Sequence, residues 1–98
     1  MVKHMIVWKF KDEVENKADV AEKIKAALEG LVGKIDGLIS MHIHTENLSS
    51  SSGDLFMDSV FESAEALSSY AVHPLHVEIA DGIVRPAMAA RLSFDYEE

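Results

Sequence analysis

Apolar and polar positions alternate from Val2 to Phe10. Val2, His4, Ile6, Trp8 and Phe10 share one face, and Lys3, Met5, Val7 and Lys9 share the other. Mid-strand, both faces are apolar, which predicts a strand covered on both sides. Lys11 to Asn16 is a polar connector. The period then changes to steps of three and four through Ala18, Ala21, Ile24, Leu28, Leu31, Val32 and Ile35, the mark of a helix with one buried face. Asn16 or Asp19 can cap its start, and Gly33 and Gly37 can end it. Alternation returns over Leu38 to Glu46, with Ile39, Met41 and Ile43 opposite Leu38, Ser40, His42 and His44. Asn47 to Gly53 reads as a hairpin loop. Asp54 to Phe61 reads as a third strand, with Leu55, Met57, Ser59 and Phe61 opposite Phe56, Asp58 and Val60. Ser63 caps a helix over Ala64 to Ala71, with Leu67, Tyr70 and Ala71 inward. Pro74 breaks that helix and opens another. Leu75 to Met88 is helical but interrupted by Gly82 and Pro86. A last strand runs from Ala90 to Tyr96, where Ala90, Leu92, Phe94 and Tyr96 alternate with Arg91, Ser93 and Asp95.

The order β-α-β-β-α-β predicts an α+β fold of the ferredoxin-like type: a four-stranded antiparallel sheet with its helices on one face. The uncovered face is expected to carry Ile6, Trp8 and Phe10. Monomers rarely leave such a patch wet, so two sheets are expected to pack face to face as a homodimer.

Size and charge sharpen this. Residues 1–98 suit one domain, which buries only about 60–65% of its unfolded surface. The chain is 48% hydrophobic and has no cysteine, so association is its natural source of extra core. Seventeen acidic against nine basic residues give a net charge of −8. That balance argues against a nucleic-acid backbone partner and disfavours an anionic membrane surface. The N-terminus is too short and strand-like for a signal peptide, and no apolar run reaches the ~20 residues of a membrane span. The expected location is the cytoplasm.

Candidate chemistry concentrates in Tyr70-Ala-Val-His-Pro-Leu-His76. Spaced three apart, Tyr70, His73 and His76 can share one side of a helical corner. Imidazole moves protons near neutral pH, and a phenol can donate to an enolate oxygen. The plainer alternative makes His73 a cap for the helix begun by Pro74 and Tyr70 a core residue. His4, in an apolar alternation, is either a hydrogen-bonded core histidine or a third pocket member. His42 and His44 put their Cβ atoms roughly 6.5–7 Å apart on one strand face. A metal there needs a third ligand such as Asp58 or Glu46, and two histidines near a loop is the simpler account. Asp95 to Glu98 reads as a solvated acidic end.

The opening Val-Lys-His-Met-Ile-Val-Trp-Lys-Phe-Lys-Asp, the segment Phe61 to Tyr70, the Tyr-x-x-His-Pro-x-His signature and Phe94-Asp-Tyr96 resemble the stress-responsive dimeric α/β-barrel (Dabb) family over essentially the whole chain. The resemblance implies a ferredoxin-like homodimer whose two sheets form a barrel. One branch it resembles more distantly, the plant polyketide cyclases, closes a poly-β-keto thioester by aldol condensation. The family motif there implies His76 as base, Tyr70 as its assistant and His4 in the cavity wall. Two positions depart from that branch. Leu55 stands where the cyclase has a histidine, and Ile79, Ile83 and Val84 replace aromatic tunnel residues. His44 stands where many bacterial relatives have a small residue. Some relatives hold a divalent ion on backbone carbonyls after the first helix, which implies a magnesium possibility near Val32, Ile35 and Leu38.

Two readings follow. One is a cofactor-free enzyme, of cyclase or lyase type, acting on a small apolar carbonyl-bearing metabolite with His76, Tyr70 and His4. The other is a non-catalytic homodimer that binds a small ligand or serves a stress response by assembly. A haem-degrading monooxygenase, which shares this kind of fold, fits less well: it needs a haem-ligating helix histidine with an Asn-Trp pair beside it, and Trp8, the only tryptophan, is wrongly placed for that.

Overall fold

The alternating residues Val2–Phe10 form β1, the second-from-edge strand of a four-stranded antiparallel sheet in a computed structural model that describes residues 1–98. α1 (Lys17–Glu29) follows, then β2 (Leu38–His44) and β3 (Leu55–Phe61). α2 (Ala64–Val72) and α3 (Pro74–Ile79) meet at a corner. A π-helical turn (Ala80–Val84) and a 3-10 turn (Arg85–Ala87) lead into β4 (Met88–Glu97). The sheet order is β2-β3-β1-β4, and every neighbouring pair is antiparallel. This is the ferredoxin-like β-α-β-β-α-β arrangement.

Local chemistry accounts for the element ends. Ser63 accepts from the Ala66 N–H at 3.1 Å and caps α2. His73 leaves helical geometry, and its Nδ1 accepts from the Leu75 N–H at 3.1 Å, so it caps α3 with Pro74 in the first turn. Asn16 precedes α1 in left-handed geometry and makes no side-chain cap. After α3, Gly82 is a weak helix former, and the Pro86 ring would meet the carbonyl four residues back in a regular helix. The chain widens instead, with the Arg85 N–H bonded to the Ala80 carbonyl.

The core lies between sheet and helices. Ala21, Ile24 and Leu28 of α1, with Leu31 and Ile35 beyond it, pack with Met41, Ile43, Leu55, Met57 and Phe61. Ala18 and Val32, which share the same period, stay exposed because α1 has barely begun at one and has ended at the other. Lys25 and Glu29 tie α1 to the edge strand β2. The Glu29 carboxylate accepts from the Ile43 N–H at 2.8 Å, while Lys25 Nζ donates to the Ile43 carbonyl at 3.0 Å and to Glu29 at 2.7 Å. Burial pushes the Glu29 carboxyl up, but the Ile43 N–H and Lys25 outweigh it and hold the group below the usual range. The same pair occupies edge groups that a foreign strand would need.

The open face of the sheet is the reverse of the one the alternation assigns. Ile6, Trp8 and Phe10 lie under the helices and are buried, as are Val2 and His4. The uncovered face carries Met5, Val7, Phe56, Val60, Leu92, Phe94 and Tyr96, with Leu92 and Phe94 76% and 69% exposed. β1 is apolar on both sides, so its period carries no sign; the helices take the side to which Leu55, Met57 and Phe61 also point. In β2 the register shifts between Leu38 and Ser40. That irregularity puts Leu38 with Met41 and Ile43 in the core and leaves Ile39 out, where strict alternation pairs Ile39 with them.

Gly33 and Gly37 both have positive φ, 89° and 85°, in the turn before β2. A Cβ on Gly33 meets nothing within 4 Å, whereas one on Gly37 would lie 2.5 Å from Ala66 Cβ. Each glycine-to-alanine change therefore costs about 1–2 kcal/mol for the left-handed backbone. Gly37→Ala carries a steric cost in addition, and its urea midpoint should fall clearly below that of Gly33→Ala.

Candidate active site

β1 and β3 fix His4. It faces Ser59 across the β1–β3 ladder, and the buried Ser59 hydroxyl donates to the His4 carbonyl at 2.6 Å. Across the other ladder it faces Asp95, whose carboxylate accepts from His4 Nδ1. A carboxylate only accepts, so Nδ1 carries a proton. His4 is 7% exposed, Nε2 has no partner in the chain, and no buried side-chain polar atom is left orphaned. Nε2 therefore opens onto free space.

The corner between α2 and α3 brings up the other two groups. Tyr70 packs against Phe61, ring centroids 4.9 Å apart, and against His76 at 4.2 Å. Phe61 in turn meets the His4 ring edge-on at 6.0 Å. Tyr70 is 2% exposed, yet its hydroxyl bonds to nothing in the chain and is not an enclosed orphan, so it too reaches free space. His76 Nδ1 lies 3.2 Å from the Ala71 carbonyl. A carbonyl only accepts, so Nδ1 carries the proton and Nε2 keeps its lone pair.

That free space is one pocket of about 670 Å³ between the sheet and the helices. His4, Tyr70 and His76 all line it. Trp8, Leu28, Met57, Ala80 and Val84 supply apolar wall, so the π-helical turn contributes two of its residues. The environment separates the two proton-handling groups electrically. Burial pushes the Tyr70 phenol well above its ordinary value, so it stays protonated at neutral pH. Burial pulls the His76 imidazole down, aided by the nearby cations Arg85 and Arg91, so it stays unprotonated. One group is a donor and the other a base.

The pocket also holds residues that the linear pattern does not single out. Asp95, assigned by position to a solvated acidic end, is the partner of His4. Arg91 and Ser93 stand on the same wall, and Arg85 is paired with Asp81. The available signal is the alternation of Arg91, Ser93 and Asp95 against Leu92 and Phe94. Only the fold says which of those two faces meets the helices.

The other candidates separate from this site. His73 serves as the cap of α3. His42 and His44 lie on the open face, with His44 stacked on Phe56 at 5.7 Å. Asp58, one of the two third ligands suggested for that pair, is taken by Lys3 at 3.2 Å, and no three His, Asp or Glu side chains, Glu46 included, gather at one point. Near the suggested backbone-carbonyl ion site, the Ile35 carbonyl already accepts from the Leu38 N–H at 3.3 Å, so an ion there would share that oxygen. No helix is long and apolar enough to cross a membrane.

A ferredoxin-like domain with a pocket lined by His4, Tyr70 and His76 between sheet and helices defines the class. Residues 2–98 match the Stress responsive A/B Barrel Domain (Dabb), and the chain belongs to that family. A stress-response A/B barrel domain-containing protein of Arabidopsis thaliana is 37% identical over 86 residues, covering 81% of this chain and 73% of the relative. A crystal structure from Bacteroides fragilis, described as a dimeric protein of unknown function with a ferredoxin-like fold, superposes with TM-score 0.91 at 27% identity, covering 99% of this chain and 95% of that one. The hydroxynitrile lyase of Passiflora edulis shares the fold at TM-score 0.79 and 16% identity, over 97% of this chain and 90% of the other.

The depressed His76 value has a sign. The unfolded chain takes up this proton first, so the folded state is penalised once pH drops below the ordinary histidine value near 6.5. Proton-detected titration should place the His76 midpoint below the ordinary histidine value. Thermal stability should fall as the pH is lowered from 6.5, and His76→Gln should flatten part of that fall.

Proposed function

We propose that the protein is a cofactor-free enzyme that enolises a small carbonyl metabolite. The observation carrying this reading is the Tyr70–His76 contact at 4.2 Å, with a free phenol hydroxyl and a free imidazole nitrogen on the same pocket as His4. His76 Nε2 takes the proton α to the substrate carbonyl. The C–H electron pair moves into the C–C bond, the carbonyl π pair moves onto oxygen, and Tyr70 donates a hydrogen bond to that oxygen. His76 then returns the proton to carbon, or the enolate carbon attacks a second carbonyl of the same molecule and His76 gives its proton to the alkoxide that forms. His4, oriented by Asp95, presents Nε2 to the substrate and holds its position. No step runs through a metal ion.

We also propose that the protein works as a homodimer joined through the open sheet face. The Bacteroides fragilis relative is described as dimeric, and the apolar face formed by Met5, Val7, Phe56, Leu92 and Phe94 is larger than a soluble monomer tends to keep exposed. A second functional reading is a ligand-binding homodimer without turnover. It is favoured by Leu55, an apolar residue at the start of β3 where the polyketide cyclases that the chain resembles have a histidine.

Two measurements test these readings. An aryl alkyl ketone in D2O should exchange its α-protons faster with the protein than without it, as read by NMR. His76→Gln should lose about 10²-fold or more of that acceleration, with the variant still folded and dimeric. Saturable thermal stabilisation by the ketone with no exchange would favour the ligand-binding reading. For assembly, Leu92→Glu combined with Phe94→Glu should convert the dimer to monomer in sedimentation velocity, and an unchanged dimer would place the interface elsewhere.

A further inference from the structure

The β4 wall of the pocket is not apolar. Arg91, Ser93 and Asp95 point to the helix side, between the outward Leu92 and Phe94. Their charges are unequally engaged. Asp95 is bound to His4, and Arg85, the other pocket cation, is bound to Asp81. Arg91 forms no ion pair: the five in the chain involve other groups. Arg91 is solvent-exposed at the pocket mouth, like most of the unpaired cations of the chain, but it alone of them lines the pocket, where its guanidinium is available to a ligand.

The register gives its position. Arg91 pairs with Trp8, while Asp95 pairs with His4. Four residues of strand separate Arg91 from Asp95, roughly 13 Å along the backbone. Tyr70 sits beside Phe61, and Phe61 beside His4, so the proton-handling groups gather at the His4 end. Arg91 stands toward the Trp8 end, close enough for its charge to act on both Tyr70 and His76. A neutral ligand filling the pocket would displace part of the water around the guanidinium and return nothing. A carboxylate offers two oxygens that match the planar fork of an arginine.

We propose that the ligand is a carboxylate-bearing ketone, its carboxylate held by Arg91 and its carbonyl between Tyr70 and His76. This rests on the enolising reading for the carbonyl end and adds the anionic end. Arg91 is then a specificity determinant, and the ligand is polar at both ends with an apolar middle against Trp8, Met57 and Leu28.

The test compares 3-benzoylpropionate with its methyl ester, which keeps the ketone and removes the charge. Calorimetry on the full chain should show the acid binding about 10-fold or more tighter than the ester, the scale of one charge-assisted contact. Arg91→Gln should erase that preference, and Arg91→Lys should restore part of it, with melting temperatures confirming that both variants fold. Equal affinities in the unmodified protein overturn the proposal. So does an unchanged preference in Arg91→Gln, or failure of the acid to bind at millimolar concentration. The same samples in D2O separate the two ideas. Arg91-dependent preference for the acid without α-proton exchange sinks the enolising reading and keeps the anion site. Exchange with no preference for the acid keeps enolisation and sinks the anion site.

Discussion

The ring of Tyr70 is wedged between Phe61 and His76, and much of this molecule depends on that contact. Phe61 is fully buried at the end of β3, so it fixes where the α2–α3 corner sits on the sheet. The corner is short and capped at both turns, by Ser63 and His73, so it cannot slide without losing those bonds. His76 therefore reaches the pocket in a fixed tautomer, with the Ala71 carbonyl holding the other nitrogen. One aromatic contact sets the depth of the phenol, the orientation of the imidazole and the height of the roof over the sheet.

Burial then creates the chemical difference between two neighbouring groups. The same desolvation acts in opposite directions on an acid that ionises to an anion and a base that ionises to a cation. Tyr70 is driven toward its neutral donor form, and His76 toward its neutral acceptor form. Burial is the largest cause of both changes, and the nearby Arg85 and Arg91 reinforce the one at His76. The His4–Asp95 pair differs, because a carboxylate anchors it and the strand register aligns it. The pocket thus combines a pair set by burial with a pair set by charge.

The open sheet face imposes a second constraint. β4 exposes Leu92 and Phe94 on one side and builds the pocket wall with Arg91, Ser93 and Asp95 on the other. A one-residue slip of β4 against β1 would exchange the two, placing the apolar residues in the pocket and the charges on the outer face. The apolar outer face and the polar pocket wall are therefore linked through one register. The irregularity between Lys9 and Phe10 confines any adjustment to the end of the ladder away from His4.

Much of the fold was legible locally. Alternation placed β1 and β3, the three-and-four spacing placed α1, and Ser63, Pro74 and Pro86 marked the ends of the helical segments, because propensity and capping act over a few residues. The Tyr70–His76 motif pointed to the site for the same reason, since a helical corner brings residues three apart together. The side of the sheet that lies open was not legible, because β1 is apolar on both faces and only the packing of α1 and α2 gives the period a sign. Ile39 was misplaced because strict alternation cannot register an irregular strand pairing. Asp95 and Arg91 were hidden more deeply. Their partners and neighbours, His4 and Trp8, lie more than eighty residues away, and nothing short of the β1–β4 register brings them together. Sequence alone determined the elements and the Tyr70–His76 corner; the tertiary structure decided which wall that corner faces, because facing is a property of long-range pairing.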